Sequence, residues 1–301
     1  MKFFIFLALL LTSAAVFADN YDEIDWSRVM PREDEPGFWD DRDENLKPLP
    51  VDVRSRRIIG GWEVERNSHP YAVFLLMTSG SSSFRCGASI ISSRAVLTAA
   101  HCPSGTSSTL AITGAHNVQQ VEPTQQRRTI PSSAYRLHAN YNPSTLQNDI
   151  AILITPTDVI ETQYVRFSRL PHDFRNELFT GELVSIVGWG RTCVTCPGSD
   201  VLRGVQNYII SNAECRAIYG NTVTDLFFCM QTTGQRGTCP GDSGGPYTLP
   251  RPGPSDQLPV IQIGVHSFGA STAVGGCEAQ RPSGASRTTA FLDWIAVNMV
   301  P

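Results

Sequence analysis

The sequence predicts an all-β fold closed by one short helix, and three observations carry that prediction. After Gly61 the apolar residues come in short runs, alternating or continuous, broken every few positions by Gly, Pro, Ser or Asn, as strands and their turns read. The clear helical periodicity lies in the last segment of the chain. Eight cysteines, all after residue 58, fit a chain that crosslinks itself with disulfides in an oxidising compartment rather than one that uses thiols for metal or redox chemistry.

The chain has 301 residues, too many for a small stapled scaffold and enough for one large β domain or two small ones. Its first 18 residues read as a secretion signal: Lys2 precedes the apolar run 3–11, and Val16-Phe17-Ala18 offers small-residue cleavage after Ala18. A membrane anchor is the alternative, but the apolar stretch ends within 16 residues, short of the ~20 that span a bilayer, and acids follow at once. The expectation is a secreted, extracellular protein that is not membrane-bound.

Residues 19–57 hold 12 acids and 7 bases, whereas residues 58–301 hold 16 acids and 16 arginines. The acidic segment is too polar to build a core and is expected to stay mobile, a solvated leader without a specific partner. The neutral remainder has no basic stripe, which excludes nucleic acid as a partner.

From there the runs YAVFLLM, ASIISSRAVLTAA, DIAILIT, LVSIVGWG, GVQNYII and VIQIGVHSF read as strands of a sandwich or barrel. YTLPRPGPSDQLP is too rich in proline for a strand and reads as a surface loop. In TTAFLDWIAVNM, Leu292, Ile295, Ala296 and Met299 fall at i, i+3, i+4 and i+7, with Thr288 or Thr289 as the cap. No internal repeat is present.

Three motifs belong together: TAAHC around His101, NDIAIL around Asp149 and GDSGGP around Ser243. Singly each is weak, since a histidine after two alanines is usually a packed core residue and Asp149 could cap a strand entry. In this order, in a cysteine-bearing β-protein, they become specific. With RIIGG, GWG, SFG and FLDWI also in sequence, residues 58–301 resemble the chymotrypsin-like serine peptidase family. VGWGRT, ISNAEC and the GCE…FLDWI pair look most similar to arthropod digestive enzymes of the chymotrypsin and brachyurin type.

The resemblance implies two packed antiparallel β-barrels, about 58–168 and 169–301, with the site between them. A serine hydroxyl is a poor nucleophile until a base takes its proton, and His101 fits that role for Ser243. Asp149 would hold the imidazole tautomer and stabilise its charged form, and Ser267 in HSFG matches the serine that supports the aspartate. The amides of Gly241 and Ser243 would bind the oxyanion, an effect of roughly 2.7–4 kcal/mol per donor. Asp242 would pair with a new ammonium after cleavage between Arg57 and Ile58 in RRIIGG, making residues 19–57 an activation propeptide. Pairing a buried carboxylate, which is costly alone, would drive the reordering of nearby loops.

The resemblance also implies the disulfides Cys86–Cys102, Cys215–Cys229 and Cys239–Cys277. Cys193 and Cys196 remain; a redox pair would need a βαβ context, so a local loop disulfide is expected. Val184 and Leu249 stand where several vertebrate relatives carry another bridge. Of the acids that a family calcium loop would need in GAHNVQQVEPTQ, Glu122 alone survives, so neither calcium nor any other metal or cofactor is expected. No Asn-x-Ser/Thr sequon occurs, so no N-glycan is expected.

Gly237, six positions before Ser243, matches the floor of the family's primary specificity pocket, with Gly269 at its mouth and Ser283 on its wall. Trypsin-type enzymes carry aspartate at that floor to neutralise a buried cation, and glycine offers no counter-charge. The expected preference is for Phe, Tyr, Leu or Met before the cut bond. Glu278 and His266 are the residues that could broaden it toward a brachyurin-like, collagenolytic specificity. An inactive, binding-only homologue is the rival from another class, and the complete triad argues against it. The partners expected are protein or peptide substrates, a separate trypsin-like activating peptidase and protein inhibitors, with the enzyme itself monomeric.

Overall fold

Strand β3 (Ala72–Ser79) shows how the period of two builds this molecule. Its side chains alternate between two apolar clusters, Val73, Leu75 and Met77 entering one and Phe74 and Leu76 the other. The computed structural model describes residues 24–38, 40, 42, 61–234, 236–249, 260–270 and 276–300. The expected signal segment, residues 1–18, Arg57, Ile58 and most of the proline-rich loop lie outside the described residues.

The chain supplies β1 (Val29–Pro31) and β2 (Trp62–Glu63), then β3, β4 (Ser82–Ile90), β5 (Ala95–Thr98), β6 (Ser108–Thr113), β7 (Gln126–Pro131), β8 (Tyr135–Leu137) and β9 (Ala151–Ile154). After these come β10 (Leu183–Gly188), β11 (Arg203–Ile210), β12 (Phe227–Met230), β13 (Pro246–Leu249), β14 (Ile261–Phe268) and β15 (Ser283–Arg287). The first sheet runs β7-β6-β3-β4-β5-β9-β8 and forms a half-barrel. The second runs β10-β13-β14-β15-β12-β11 and closes on itself through a β10–β11 pairing. Every expected strand run forms a strand, and YTL joins β13 rather than the loop assigned to it. The expected barrel boundary is crossed at the start, because β2 pairs with β11 of the second sheet.

Val73, Leu97 and Ile152 fill the first core, and Ile186, Phe228, Tyr247 and Ile263 fill the second. Between them Phe74 meets Trp189 edge-on at 5.6 Å, so the interface of the two sheets is itself apolar. Val184 and Leu249 pack in the second core, as hydrophobic replacements for a bridge should.

Two α-helices are present among the described residues. The last, α2 (Thr288–Asn298), has Arg287 as its N-cap in place of the expected Thr288 or Thr289: Arg287 makes no side-chain cap bond, while the Thr288 hydroxyl donates to the Gln262 carbonyl. Its buried face is Phe291, Leu292 and Ile295, with Ala296 exposed, because tertiary packing against the first core rotates the contact stripe. The other, α1 (Asn212–Tyr219), escapes the periodicity argument but carries a complete capping box. The Ser211 hydroxyl accepts from the Glu214 amide at 3.2 Å and the Glu214 carboxylate accepts from the Ser211 amide at 2.8 Å. No helix of the described residues is long and apolar enough to cross a membrane.

The acidic leader is not a solvated segment without a partner. β1 adds to the first sheet, parallel to β4, with Val29 opposite Ser83 and Pro31 opposite Arg85. Val29 is buried, and Trp26 packs on the cluster between the sheets, 6.1 Å from Phe74. Composition misleads here because the acids are interleaved with Trp26, Val29, Met30, Pro31 and Phe38, which need no core of their own when one is offered.

Candidate active site

Register brings His101 and Asp149 together. β5 pairs antiparallel with β9, Thr98 opposite Ala151, so His101, just after β5, and Asp149, just before β9, leave the sheet at the same end. A disulfide from Cys102 to Cys86 in β4 fixes the turn that carries the histidine. The His101 amide donates to Asp149 Oδ1 at 2.9 Å, and the ring Nδ1 donates to Oδ2 at 2.8 Å, the tautomer that leaves Nε2 to accept a proton. From the second sheet, the Ser267 hydroxyl on β14 donates to the same Oδ2 at 2.5 Å, and the Ser286 hydroxyl on β15 donates to the Asp149 carbonyl at 2.8 Å. Asp149 is fully buried and stitches the sheets together.

Burial pushes the Asp149 carboxyl up. The His101 charge and the hydrogen bonds from His101 and Ser267 outweigh it and hold the group below its ordinary value, so it stays ionised.

Ser243 lies in the turn before β13. The Gly87 amide of β4 donates to the Ser243 carbonyl at 2.7 Å, tying the nucleophile loop to the histidine's sheet. Gly241 has φ +96°, and a Cβ there would stand 3.1 Å from the Gly190 Cα, so both conformation and space call for glycine. Its amide is turned toward the Ser243 hydroxyl side of the loop, where both meet one ligand: the Glu33 carboxylate of the leader. Ser243 Oγ donates to Glu33 Oε1, and the Gly241 amide donates to Oε2 at 3.2 Å. Phe38 stands edge-on to the His101 ring at 5.7 Å.

Asp242 points the other way. Its carboxylate is buried and accepts from the amides of Gly190 and Cys239, both at 2.9 Å. Burial pushes this carboxyl up to about 7; the two amides pull it down only in part, and the nearby Glu33 charge adds to the rise. The group lines a cavity with Gly61, Gly188, Gly190 and Gly237.

The cleft in front of Ser243 is lined by Thr238, His266, Phe268 and Gly269 together with Glu33 and Phe38. Gly237 and Gly269 therefore do not face one cavity. Thr238 stands between them: its hydroxyl donates to the buried Ser283 hydroxyl at 2.8 Å, and a Cβ at Gly269 would lie 3.7 Å from it. Sequence reasoning passed over Thr238, although its place between Gly237 and Cys239 marked it as a wall. His266 is buried, its Nδ1 3.2 Å from the Tyr247 hydroxyl, and burial lowers its pKa to about 3, so it is a neutral wall. The Glu278 carboxylate accepts from the Val194 amide at 3.2 Å, inside the loop closed by the Cys193–Cys196 disulfide. Disulfides Cys215–Cys229 and Cys239–Cys277 complete the set, the latter holding the nucleophile loop. Glu122, the surviving acid of the loop considered for calcium, spends its carboxylate on Arg66 and the amides of His116 and Asn117.

The model of the family described as Trypsin matches residues 58–295. The chain is 40% identical to the protein named Brachyurin of Leptuca pugilator over 239 residues, 79% of this chain and 96% of that protein. It is 33% identical to the Chymotrypsin of Phaedon cochleariae over 244 residues, 80% of this chain and 82% of that one. A solved structure titled HL collagenase superposes with a TM-score of 0.70 at 30% identity, covering 80% of this chain and 98% of the other. On the extent of these matches, and on the two-sheet architecture, the chain belongs to the trypsin family and is a serine endopeptidase.

Proposed function

We propose that the protein is a secreted endopeptidase made as a zymogen, in which Ser243 is the nucleophile, His101 its general base and Asp149 the group that orients and stabilises the imidazole. The observation that carries this reading is the Asp149 carboxylate, buried and ionised, accepting at once from His101 and from Ser267. In the working enzyme His101 Nε2 takes the Ser243 proton as Oγ attacks the peptide carbonyl, and later returns it to the leaving amine. The amides of Gly241 and Ser243 receive the oxyanion.

Activation follows cleavage after Arg57. The new Ile58 ammonium pairs with Asp242, whose cavity is lined by Gly61, three residues from that terminus. A carboxyl whose pKa is raised to about 7, chiefly by burial, gains most from such a partner. A trypsin-like peptidase makes the cut, because the neutral residues Thr238, His266 and Gly269 of the cleft offer an arginine no counter-charge. Large apolar residues before the cut bond are preferred. A broader specificity is the second reading, favoured by the 40% identity with a protein named Brachyurin.

Ser243→Ala tests the core of the proposal: after trypsin treatment the variant should have lost several orders of magnitude in peptidase activity and all labelling by a fluorophosphonate. Activity retained by the variant would overturn the assignment.

A further inference from the structure

We infer that the leader segment around Glu33 is the enzyme's own active-site inhibitor, and that it still inhibits, without a covalent tether, after the bond following Arg57 is cut. The inference rests on the peptidase reading above and goes beyond it, because an activation peptide need do no more than delay a new N-terminus.

Glu33 holds both halves of the catalytic machinery. One carboxylate oxygen accepts from the Ser243 hydroxyl and the other from the Gly241 amide, so the nucleophile's proton and the oxyanion donor are both engaged. A side-chain carboxylate is a poor electrophile, and its negative oxygens suit donors arranged for a developing oxyanion. The backbone there is a 3-10 turn, Arg32–Asp34, not an extended strand, so a carboxylate rather than a peptide carbonyl meets Ser243. The leader is held where a substrate would sit, yet offers nothing to cut.

The flanking contacts form a built site. Arg32 is buried over the Phe84 ring at 4.8 Å, and its guanidinium donates to the carbonyls of His101 at 3.3 Å and Ser104 at 2.6 Å. Asp34 pairs with Arg191. Phe38 covers His101, and Arg42 stacks on Phe38 at 3.9 Å while donating to the Pro143 carbonyl. Together with the β1–β4 pairing, these contacts run from Trp26 to Arg42 and none of them needs residues 43–60. Cutting after Arg57 leaves every one intact. No cysteine in the leader tethers it, so release is a matter of dissociation and dilution.

The test uses enzyme cut by trypsin and freed of its leader by gel filtration, with two synthetic peptides spanning residues 24–42, one native and one carrying Glu33→Gln. The native peptide should inhibit peptide hydrolysis competitively and slow fluorophosphonate labelling to the same degree. The Glu33→Gln peptide should be weaker by about tenfold or more, the loss expected for hydrogen bonds to a charged acceptor. Freshly cut full-length protein should also gain specific activity on dilution, a lag that Glu33→Gln in the full chain should shorten. An active enzyme that neither peptide inhibits, or that both inhibit equally, would overturn the inference. A cut enzyme silent toward every substrate would count against the peptidase reading instead, and calorimetric comparison of the two peptides' binding would still decide the leader's role.

Discussion

The Ser243 hydroxyl donates to the carboxylate of Glu33, 210 residues earlier in the chain. The proposed nucleophile is thus committed to an acceptor from the leader, while the Asp149–His101 pair is already assembled. On the proposed reading, removal of the leader and assembly of the Asp149–His101 pair are separate events, and the consequences of each can be measured apart.

The Asp149–His101 pair supplies the first prediction. In the cleaved, leader-free enzyme, Asp149→Asn should lower kcat by about 10⁴ with little change in KM, because the amide cannot hold the imidazole in the required tautomer. Ser267→Ala removes one of the bonds that keep the Asp149 carboxylate ionised. It should cost about tenfold in kcat, the scale of a single hydrogen bond to a charged group. Steady-state kinetics on one peptide substrate check both. A larger loss from Ser267→Ala than from Asp149→Asn would reverse the roles given to them.

Asp242 supplies a pH dependence. Its folded carboxyl is raised to about 7, so the uncleaved protein binds a proton there that the unfolded chain, near 3.9, has already lost. Stability from this group is complete below about pH 3.9 and is lost as pH rises toward 7, by at most roughly 4 kcal/mol. Thermal unfolding of an uncleavable precursor, Arg57→Gln, should therefore fall in Tm between pH 4.5 and 7.5 more steeply than the same protein with Asp242→Asn. Once Ile58 is free and paired, the difference should disappear. Equal slopes in the precursor would show that Asp242 is ionised throughout.

Gly190 guards that carboxylate. A Cβ at this position would stand 2.5 Å from the Asp242 carboxylate, which is short, buried and already hydrogen-bonded to two amides, so it has nowhere to move. Gly190→Ala should destabilise the precursor by about 1–3 kcal/mol, the range for overpacking, and should impair activation by trypsin. Wild-type stability in this variant would mean that the loop around Asp242 yields easily.

The strands could be read in the sequence because each depends on local pattern, and three of the four disulfides followed from the family resemblance rather than from the residues alone. What could not be read depends on partners far along the chain. The capping box of α1 was visible in Ser211 and Glu214, yet an eight-residue helix offers too few turns for periodicity to find it. Periodicity puts Ala296 on the buried face of α2 and leaves Phe291 off it, the reverse of what the structure shows, because the direction from which a helix is covered is set by its neighbours. The leader departs from its composition for a related reason. Composition tells whether a segment can build a core, and this one borrows the cluster around Phe74 and Trp189.

Specificity and control meet in the last prediction. The enzyme's own residues described in the cleft at Ser243 include no charged group: Thr238 gives its hydroxyl to Ser283, His266 is neutral through burial, and Phe268 and Gly269 carry no charge. Glu278, the nearest acid considered, has its carboxylate at the Val194 amide. A guanidinium entering such a pocket would lose its water without a counter-ion, at a cost of several kcal/mol. A phenylalanine entering it gains ~1.5–3 kcal/mol from burial alone. The cleaved enzyme should accordingly hydrolyse substrates with Phe or Leu before the cut bond at least about a hundredfold faster, as kcat/KM, than matched substrates with Arg. The bond after Arg57 presents an arginine, and the leader covers Ser243 in the same molecule. Purified precursor should therefore remain silent on incubation at any concentration and become active when trypsin is added, with Ile58 as the new N-terminus. N-terminal sequencing and a time course of activity check this directly. Rapid self-activation that scales with precursor concentration would show that the pocket does accept arginine, and Glu278→Gln, by abolishing it, would identify the Glu278 carboxylate as the counter-charge.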